Sequence, residues 1–499
     1  MKKKVMLNVG CTMLCQLMTF ISGLIVPRLI LSTFGSEANG LVSSITQFLN
    51  YISLVEGGIG SVVLTALYGP LAKKDDRKIS SVLKAAENFF RQIASIFVVY
   101  TIALACVYPI VIKSSFSWLY VASLTVILSF TLFIQYFFSI TYKLLLQADQ
   151  KMYIVQLWHA LITLLNIIAV VAAIKIFPEL HFVKLCSVML FVIQPVAYSN
   201  YVKKHYKLYK DVESDKDSLA QRWACFGQNF AYFIHSNTDV VVLTLFSDLK
   251  AVSVYSVYLL VVKNLQSFFK AFSNAFNPII GKAIAVNDYK QANKYMKTYE
   301  FVVSNIATII FGCCIYLLPS FVLIYTHGVT DANYYRVFFS TIIILAEYIY
   351  CIREPYESVI YAAGKFKETS NSAYIEAIIN IVLSVILVFK YGLEGIAVGT
   401  FIGMLYRMIY WIWFINKYIM PYPISNIVKR LSLSIGTIMI SCLIVSVMDT
   451  TGSSTLILWV KNGVLCFAVF CAVTVILNLA FDKEPFLDIC KRAVSKRKG

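Results

Sequence analysis

A few ionisable residues stand in the middle of long apolar stretches, and these are the side chains that could do chemistry. Lys263 and Lys270 are seven residues apart, so a helix would place both ammonium groups on one face. Arg28 and Arg407 also fall within apolar stretches. A charge at the centre of a bilayer costs about 2.5–3.5 kcal/mol on insertion scales. We therefore expect these four cations to face a polar cavity, although Arg28, which follows Pro27, could equally reach the membrane interface.

Acidic residues in the same stretches have two possible roles. Glu56 and Asp239 fall on predicted helices that also carry rows of uncharged polar residues, which we call polar stripes. There they could be counter-ions of the cations or the site of a coupling ion. The sequence leaves both roles open. Four residues lie in or at the ends of two later apolar stretches, and among them we expect a structural ion pair: Glu347, Arg353, Glu354 and Glu376.

Uncharged polar side chains in the apolar stretches recur at steps of three and four residues, which places them on single helix faces. Such faces could line a hydrated cavity, or they could simply pack helix against helix, as small and polar residues often do in membranes. The candidate cavity-lining residues are Gln16, Gln47, Asn50, Gln228, Ser267 and Asn274.

Several kinds of chemistry have no signature in the chain. There is no G-x-x-x-x-G-K-[ST] segment for nucleotide phosphates, and the five His and twelve Cys show neither C-x-x-C pairs nor zinc spacing. We therefore predict no catalytic residue, no metal and no cofactor. The net charge of +18 does not indicate nucleic-acid binding, because most of the 44 Lys and Arg residues recur on alternate connections between apolar stretches.

The elements that must position these residues are helices that cross a membrane. Hydrophobic residues make up 59% of the chain and charged residues 14%, which is far below the quarter usual in soluble domains. A bilayer core needs about 20 helical residues. Fourteen stretches qualify, and the distribution of Lys and Arg predicts that both termini are cytoplasmic. The stretches are 5–31, 38–67, 85–112, 117–142, 152–177, 180–200, 222–246, 251–277, 299–326, 333–354, 371–390, 393–415, 427–448 and 456–481.

The first twelve stretches form two related groups of six. Pro70 and Pro278 follow the second helix of each group, and Asn166 and Asn380 occupy matching later positions at a similar spacing. Because six is an even number, the duplication would be parallel, with two lobes around a central cavity. We predict an N-terminal lobe at 1–200, a cytoplasmic linker at 201–221, a C-terminal lobe at 222–415, and two further helices with a basic tail at 416–499.

Three segments carry a resemblance to a known family. VPRLILSTFGSEANGLVSSI at 26–45, YISLVEGGIG at 51–60 and LYGPLA at 67–72 resemble bacterial polysaccharide flippases of the multidrug/oligosaccharidyl-lipid/polysaccharide (MOP) exporter superfamily. The resemblance implies an all-α polytopic membrane protein with the MATE-like MOP fold in the bacterial cell membrane. It also implies alternating access that carries undecaprenyl-diphosphate-linked oligosaccharide to the outer leaflet, for capsule, exopolysaccharide or O-antigen synthesis.

The partners implied by this resemblance are membrane lipids, a polysaccharide polymerase and assembly proteins. Lysine and arginine cations would suit the diphosphate, and the polar stripes would suit the sugars. The alternatives are a lipid II flippase and a cation-coupled multidrug exporter of the same superfamily. A membrane polymerase or glycosyltransferase is disfavoured, because no long outer loop or carboxylate cluster is visible, and we expect no enzymatic activity.

Overall fold

The computed structural model describes residues 2–56, 59–215, 226–448 and 455–483, and all regular structure within these ranges is helical. The prediction of an all-α membrane protein is confirmed. In chain order the helices are α1 (Lys2–Asn50), α2 (Ser53–Glu56), α3 (Ile59–Lys73), α4 (Asp76–Val111), α5 (Trp118–Ile134), a π-helical segment (Gln135–Ser139), α6 (Ile140–Ala148), α7 (Met152–Ile176), α8 (Leu180–Phe191), α9 (Ile193–His205), α10 (Phe226–Phe246), α11 (Leu249–Ala285), α12 (Tyr289–Tyr325), α13 (Val337–Ile352), α14 (Glu354–Ala362), α15 (Phe366–Tyr391), α16 (Leu393–Tyr418), α17 (Ile424–Val447) and α18 (Leu456–Phe481).

Ten helical segments within the described ranges are long and apolar enough to cross a membrane, which makes the chain a multi-pass membrane protein. The first of them, Met6–Glu56, runs through two of the predicted stretches. Gly35 breaks the helix there with φ 84° and ψ 178°, a conformation that a residue with a Cβ atom rarely adopts. Gly35 therefore separates two helical segments of α1, which correspond to the first predicted span and to the beginning of the second. The count of fourteen spans stays a prediction.

The chain divides into two compact units, Met1–Ser253 and Val254–Gly499. The first unit is built on a core of buried aliphatic and aromatic side chains from α1 to α9, with Phe90 and Phe97 of α4 almost fully buried. In the second unit, α12, α17 and α18 share a smaller cluster around Phe470. The predicted lobe and linker boundaries stay predictions.

The two units repeat the same turns at the same spacing. Lys74 and Gln150 in the first unit have φ of 55°, and Asn287 and Gly364 in the second have φ of 58° and 68°. Each lies at a helix end. Its own amide donates to the carbonyl three residues earlier, and the next amide donates to the carbonyl five residues before it, as in a Schellman cap. Lys74 precedes Asn287 by 213 residues, and Gln150 precedes Gly364 by 214. The positions of these backbone turns thus indicate an internal duplication more clearly than the amino-acid residues of the two units do.

The contact between α15 and α16 depends on a row of glycines at four-residue steps. Gly395, Gly399 and Gly403 all lie on the face of α16 that meets α15. A Cβ atom on Gly395 would lie 2.5 Å from the carbonyl oxygen of Leu387. Small residues with this spacing let two membrane helices approach at the backbone, where packing rather than water exclusion holds them together.

We therefore expect the substitution Gly395→Ala to destabilise the protein by about 1–3 kcal/mol, because the added methyl group must push backbone apart. The measurement is the melting temperature of the purified protein in detergent. Gly436→Ala is the matched control, since nothing lies within 4 Å of its Cβ position in α17. Equal melting temperatures for the two variants would contradict the close approach.

Candidate functional site

The two predicted lysines lie on one side of α11, in the second unit. The ammonium nitrogen of Lys263 is 3.6 Å from Oε1 of Glu347 on α13, and the lysine side chain remains 37% exposed. Lys270 Nζ lies 5.4 Å from the ring centre of Tyr350, also on α13. Ser267, between the two lysines, is exposed and donates its hydroxyl to the Lys263 carbonyl at 3.0 Å. The predicted shared helix face is therefore present.

Arg407 belongs to a different arrangement, which we call the arginine cluster: Arg353, Glu376, Arg407 and Trp411. The Glu376 carboxylate is fully buried and accepts from Arg353 at 2.9 Å and from Arg407 at 2.5 Å. Both guanidinium groups also lie over the Trp411 ring, at 5.1 and 4.6 Å from its centre. The structural ion pair expected among Glu347, Arg353, Glu354 and Glu376 is formed by Arg353 with Glu376, and the same carboxylate engages Arg407.

The remaining charged candidates lie in the first unit. The Glu56 carboxylate at the end of α2 accepts a hydrogen bond from the Tyr136 hydroxyl at 3.2 Å. Asp239 is buried within α10. Arg28 is half-buried in α1, seven residues before the break at Gly35. These three side chains occupy separate helices, and their predicted roles stay predictions.

The uncharged polar candidates lie in different environments. Gln47 of α1 donates to the side-chain carbonyl of Asn237 on α10, which ties two helices of the first unit together. Asn50 is half-buried at the end of α1, and Gln16 is exposed on the same helix. The side chains of the other two candidates, Gln228 and Asn274, lie outside the described residues.

A polar cavity in the first unit was missed from the sequence. It measures about 340 Å³ and its walls include Lys143, His159 and Gln194. Lys143 reads as a cytoplasmic residue when only the ends of the apolar stretches are considered, and His159 reads as a packing residue. The signal that could have found this cavity is the four-residue spacing of Gln135, Ser139 and Lys143, which places three polar groups on one face.

Comparison with solved structures shows which fold this chain has. A structure described as lipid II flippase MurJ in an inward closed conformation matches with a TM-score of 0.71 at 17% identity, and covers 94% of this chain and 98% of that one. An inward-facing multidrug resistance MATE transporter of the MOP superfamily matches with 0.58 at 15%, covering 82% and 96%. The MATE multidrug transporter DinF-BH also matches with 0.58 at 15%, covering 83% and 95%.

These likenesses show the fold, and the predicted MOP fold is confirmed. At the level of families, residues 224–386 match the MatE family model. Comparison with curated protein sequences gives no match. The more specific resemblance to polysaccharide flippases stays a prediction.

The arginine cluster yields a stability prediction. Replacing Glu376 by Gln leaves two buried guanidinium groups without their anion, and breaking a buried pair in this way costs about 3–5 kcal/mol. We expect Glu376→Gln to lower the melting temperature sharply. Glu368→Gln is the control, because the exposed pair of Glu368 with Lys365 at 2.9 Å contributes at most about 1 kcal/mol. A Glu376→Gln protein as stable as the control would show that the cluster is not structural.

Proposed function

We propose that this protein is a flippase of the bacterial cell membrane, with both termini in the cytoplasm. It moves undecaprenyl-diphosphate-linked oligosaccharide repeat units to the outer leaflet by alternating access, for capsule, exopolysaccharide or O-antigen synthesis. A polysaccharide polymerase and assembly proteins are its proposed partners, and no enzymatic step is part of the proposal.

The observation that carries this proposal is the state of Lys263 at membrane depth. Its ammonium group is beyond hydrogen-bond distance from Glu347, which is the only acidic side chain within ion-pair distance among the described residues. Glu347 is 2% exposed, whereas Lys263 is 37% exposed. The buried Glu347 carboxylate thus compensates part of the positive charge of Lys263. The exposed ammonium N–H donors remain able to bind an anionic ligand.

Lys270 supplies the second cation of the proposed diphosphate site. It lies one heptad further along α11, and two helical turns span about 10 Å, so the two ammonium groups can serve different phosphate oxygens of one headgroup. A compact ammonium group suits a phosphate because it donates in several directions. Arg28 is proposed as a third contact. Arg407 supports the second unit through the arginine cluster and does not contact the headgroup.

The uncharged candidates are proposed to receive the sugars. Amide and hydroxyl groups match sugar hydroxyls, and the lipid chain can remain in the bilayer throughout. Glu56 and Asp239 are proposed as sites for a coupling ion, should one be needed. The proposed polar wall consists of Gln16, Gln47, Asn50, Gln228, Ser267 and Asn274.

The membrane potential can supply the driving force. When the cytoplasm is negative, each negative charge that moves outward gains about 2.3 kcal/mol per 100 mV. A diphosphate headgroup would therefore be driven outward without a nucleotide. The emptied cationic site would be drawn inward by the same field, which completes the cycle.

Lipid II flipping is the second candidate, because the structure described as a lipid II flippase superimposes on more of this chain than the MATE transporters do. Export of cationic drugs is less compatible with the site, since two lysines face the proposed substrate position and Glu347 lies buried behind one of them. The two candidates differ in the lipid-linked sugar that accumulates when the protein is lost.

The double substitution Lys263→Gln, Lys270→Gln tests the site. We expect polymer export to be lost and lipid-linked repeat units to accumulate on the cytoplasmic leaflet, because neither phosphate would have a cation. Lys250→Gln is the control, since Lys250 is exposed at the start of the same helix. Membrane levels of all variants are measured by immunoblotting. Unchanged export in the double variant would remove the lysines from the site, and accumulation of lipid II would favour the second candidate.

Reconstituted vesicles test the driving force. With an imposed potential and no proton or sodium gradient, we expect labelled lipid-linked oligosaccharide to flip toward the positive side, and reversal of the potential to suppress this movement. The readout is the fraction of substrate accessible to an external periodate or glycosidase treatment. Flipping that requires an added ion gradient would overturn the potential-driven mechanism and direct attention to Glu56 and Asp239.

A further inference from the structure

The cavity of about 340 Å³ in the first unit contains Lys143, whose charge interacts with the Glu56 carboxylate without forming an ion pair with it. The walls come from α1, α5 to α9 and the π-helical segment, and they include the Lys143 side chain. Within the described part of the chain, no hydrogen bond or ion pair engages the Lys143 ammonium group. The carboxylate of Glu56 is held by the Tyr136 hydroxyl at 3.2 Å and does not line the cavity.

Neutral donors surround this cation. The side-chain amide of Gln194 donates to Nδ1 of His159 at 3.0 Å, so the imidazole keeps its proton on Nε2. Both residues line the cavity, together with the amide of Gln156, the hydroxyl of Ser139 and the ring of Tyr198. A single cation among amides, hydroxyls and aromatic surface is the composition expected of a small-molecule site with few polar anchors.

The backbone at the cavity wall is irregular. The amide of Ile140 donates to the carbonyl of Gln135, a π-helical bond five residues apart in the middle of a membrane helix. Such segments are rare and often occur at functional sites. Gln135, Ser139 and Lys143 all line the cavity from this segment and the helix that follows it.

The second unit shows which side chains occupy the positions that match the cavity wall of the first unit. The repeated turns at Gln150 and Gly364 fix an offset of 214, which matches Ser139 with Arg353. Helices α8 and α16 begin at Leu180 and Leu393, an offset of 213.

By this second offset, Gln194 and Tyr198 match Arg407 and Trp411, two members of the arginine cluster. A serine and a glutamine of the first unit therefore stand where two arginines stand in the second, and Tyr198 stands in place of Trp411. In the second unit the Glu376 carboxylate lies between two cations and the place is filled. In the first unit the matching positions border the cavity, and no carboxylate of a described residue lines it.

We propose that the cavity binds a single acidic sugar residue, with its carboxylate beside Lys143. The volume is near the lower limit of about 300–1,000 Å³ for small-molecule sites, which suits one sugar ring and excludes an oligosaccharide. The amides and hydroxyls receive the sugar hydroxyls, and Phe191 and Tyr198 offer apolar surface to the ring. This site is separate from the lysines of α11 and does not depend on the flippase proposal.

The test is equilibrium binding of radiolabelled glucuronate to the full-length protein in neutral phosphatidylcholine nanodiscs, which contain no anionic lipid headgroups. We expect saturable binding that excess unlabelled glucuronate displaces and glucose does not. Lys143→Gln should weaken binding at least about tenfold, because it removes a charge-assisted hydrogen bond, and Lys143→Arg should restore most of it. Lys175→Gln, in the exposed last turn of α7, is the matched control and should bind as wild type.

Three results would overturn the proposal. The absence of saturable glucuronate binding would remove the ligand, and unchanged binding in Lys143→Gln would remove the site, provided that the variant melts at the wild-type temperature. Displacement by inorganic phosphate at the same concentration as glucuronate would show that the cavity recognises the anion alone and not the sugar. None of these outcomes bears on whether repeat units are exported, so the two proposals fail separately.

Discussion

The hydrocarbon interior of a bilayer offers no hydrogen-bond partner, and this constraint shapes the protein at every level. Backbone groups must be satisfied within their own segment, which is why the described chain is helical throughout. The same constraint acts on side chains, because a charge at membrane depth must meet an anion, an aromatic ring or water. Each irregularity in the helices, such as the break at Gly35 or the π-helical segment, therefore marks a place where another requirement outweighs regular hydrogen bonding.

The buried cations show three solutions to this constraint. Arg353 and Arg407 share the Glu376 carboxylate and rest on Trp411, which gives a structural cluster. Lys263 is compensated partly, by a buried carboxylate at 3.6 Å, and keeps exposed donors. Lys143 lines a cavity and pairs with no described anion. The extent to which nearby carboxylates offset each positive charge separates the structural arginines from the lysines that are available to a ligand. Our functional proposals rest on those lysines.

Duplication explains how one fold accommodates both kinds of site. The turns around Lys74, Gln150, Asn287 and Gly364 are the same in the two units, because a residue with positive φ must end each helix so that the next can begin. Between those turns the side chains are free to diverge. The interior of the first unit keeps a cavity beside the positions that match Arg353, Arg407 and Trp411 of the second unit. The backbone preserves the architecture while the charges define the chemistry.

The sequence by itself determined the membrane class, the all-helical fold, the shared face of Lys263 and Lys270, and a structural ion pair in the region of Arg353. These features depend on apolar length, helical periodicity and the cost of an unpaired charge, all of which are local properties. Only the tertiary structure decided which partners Arg353 and Arg407 take, and that both share the Glu376 carboxylate. The cavity beside Lys143 was likewise visible only there. Such features depend on which side chains from distant helices fill a given space, and a residue's own neighbours in the chain carry no information about that volume.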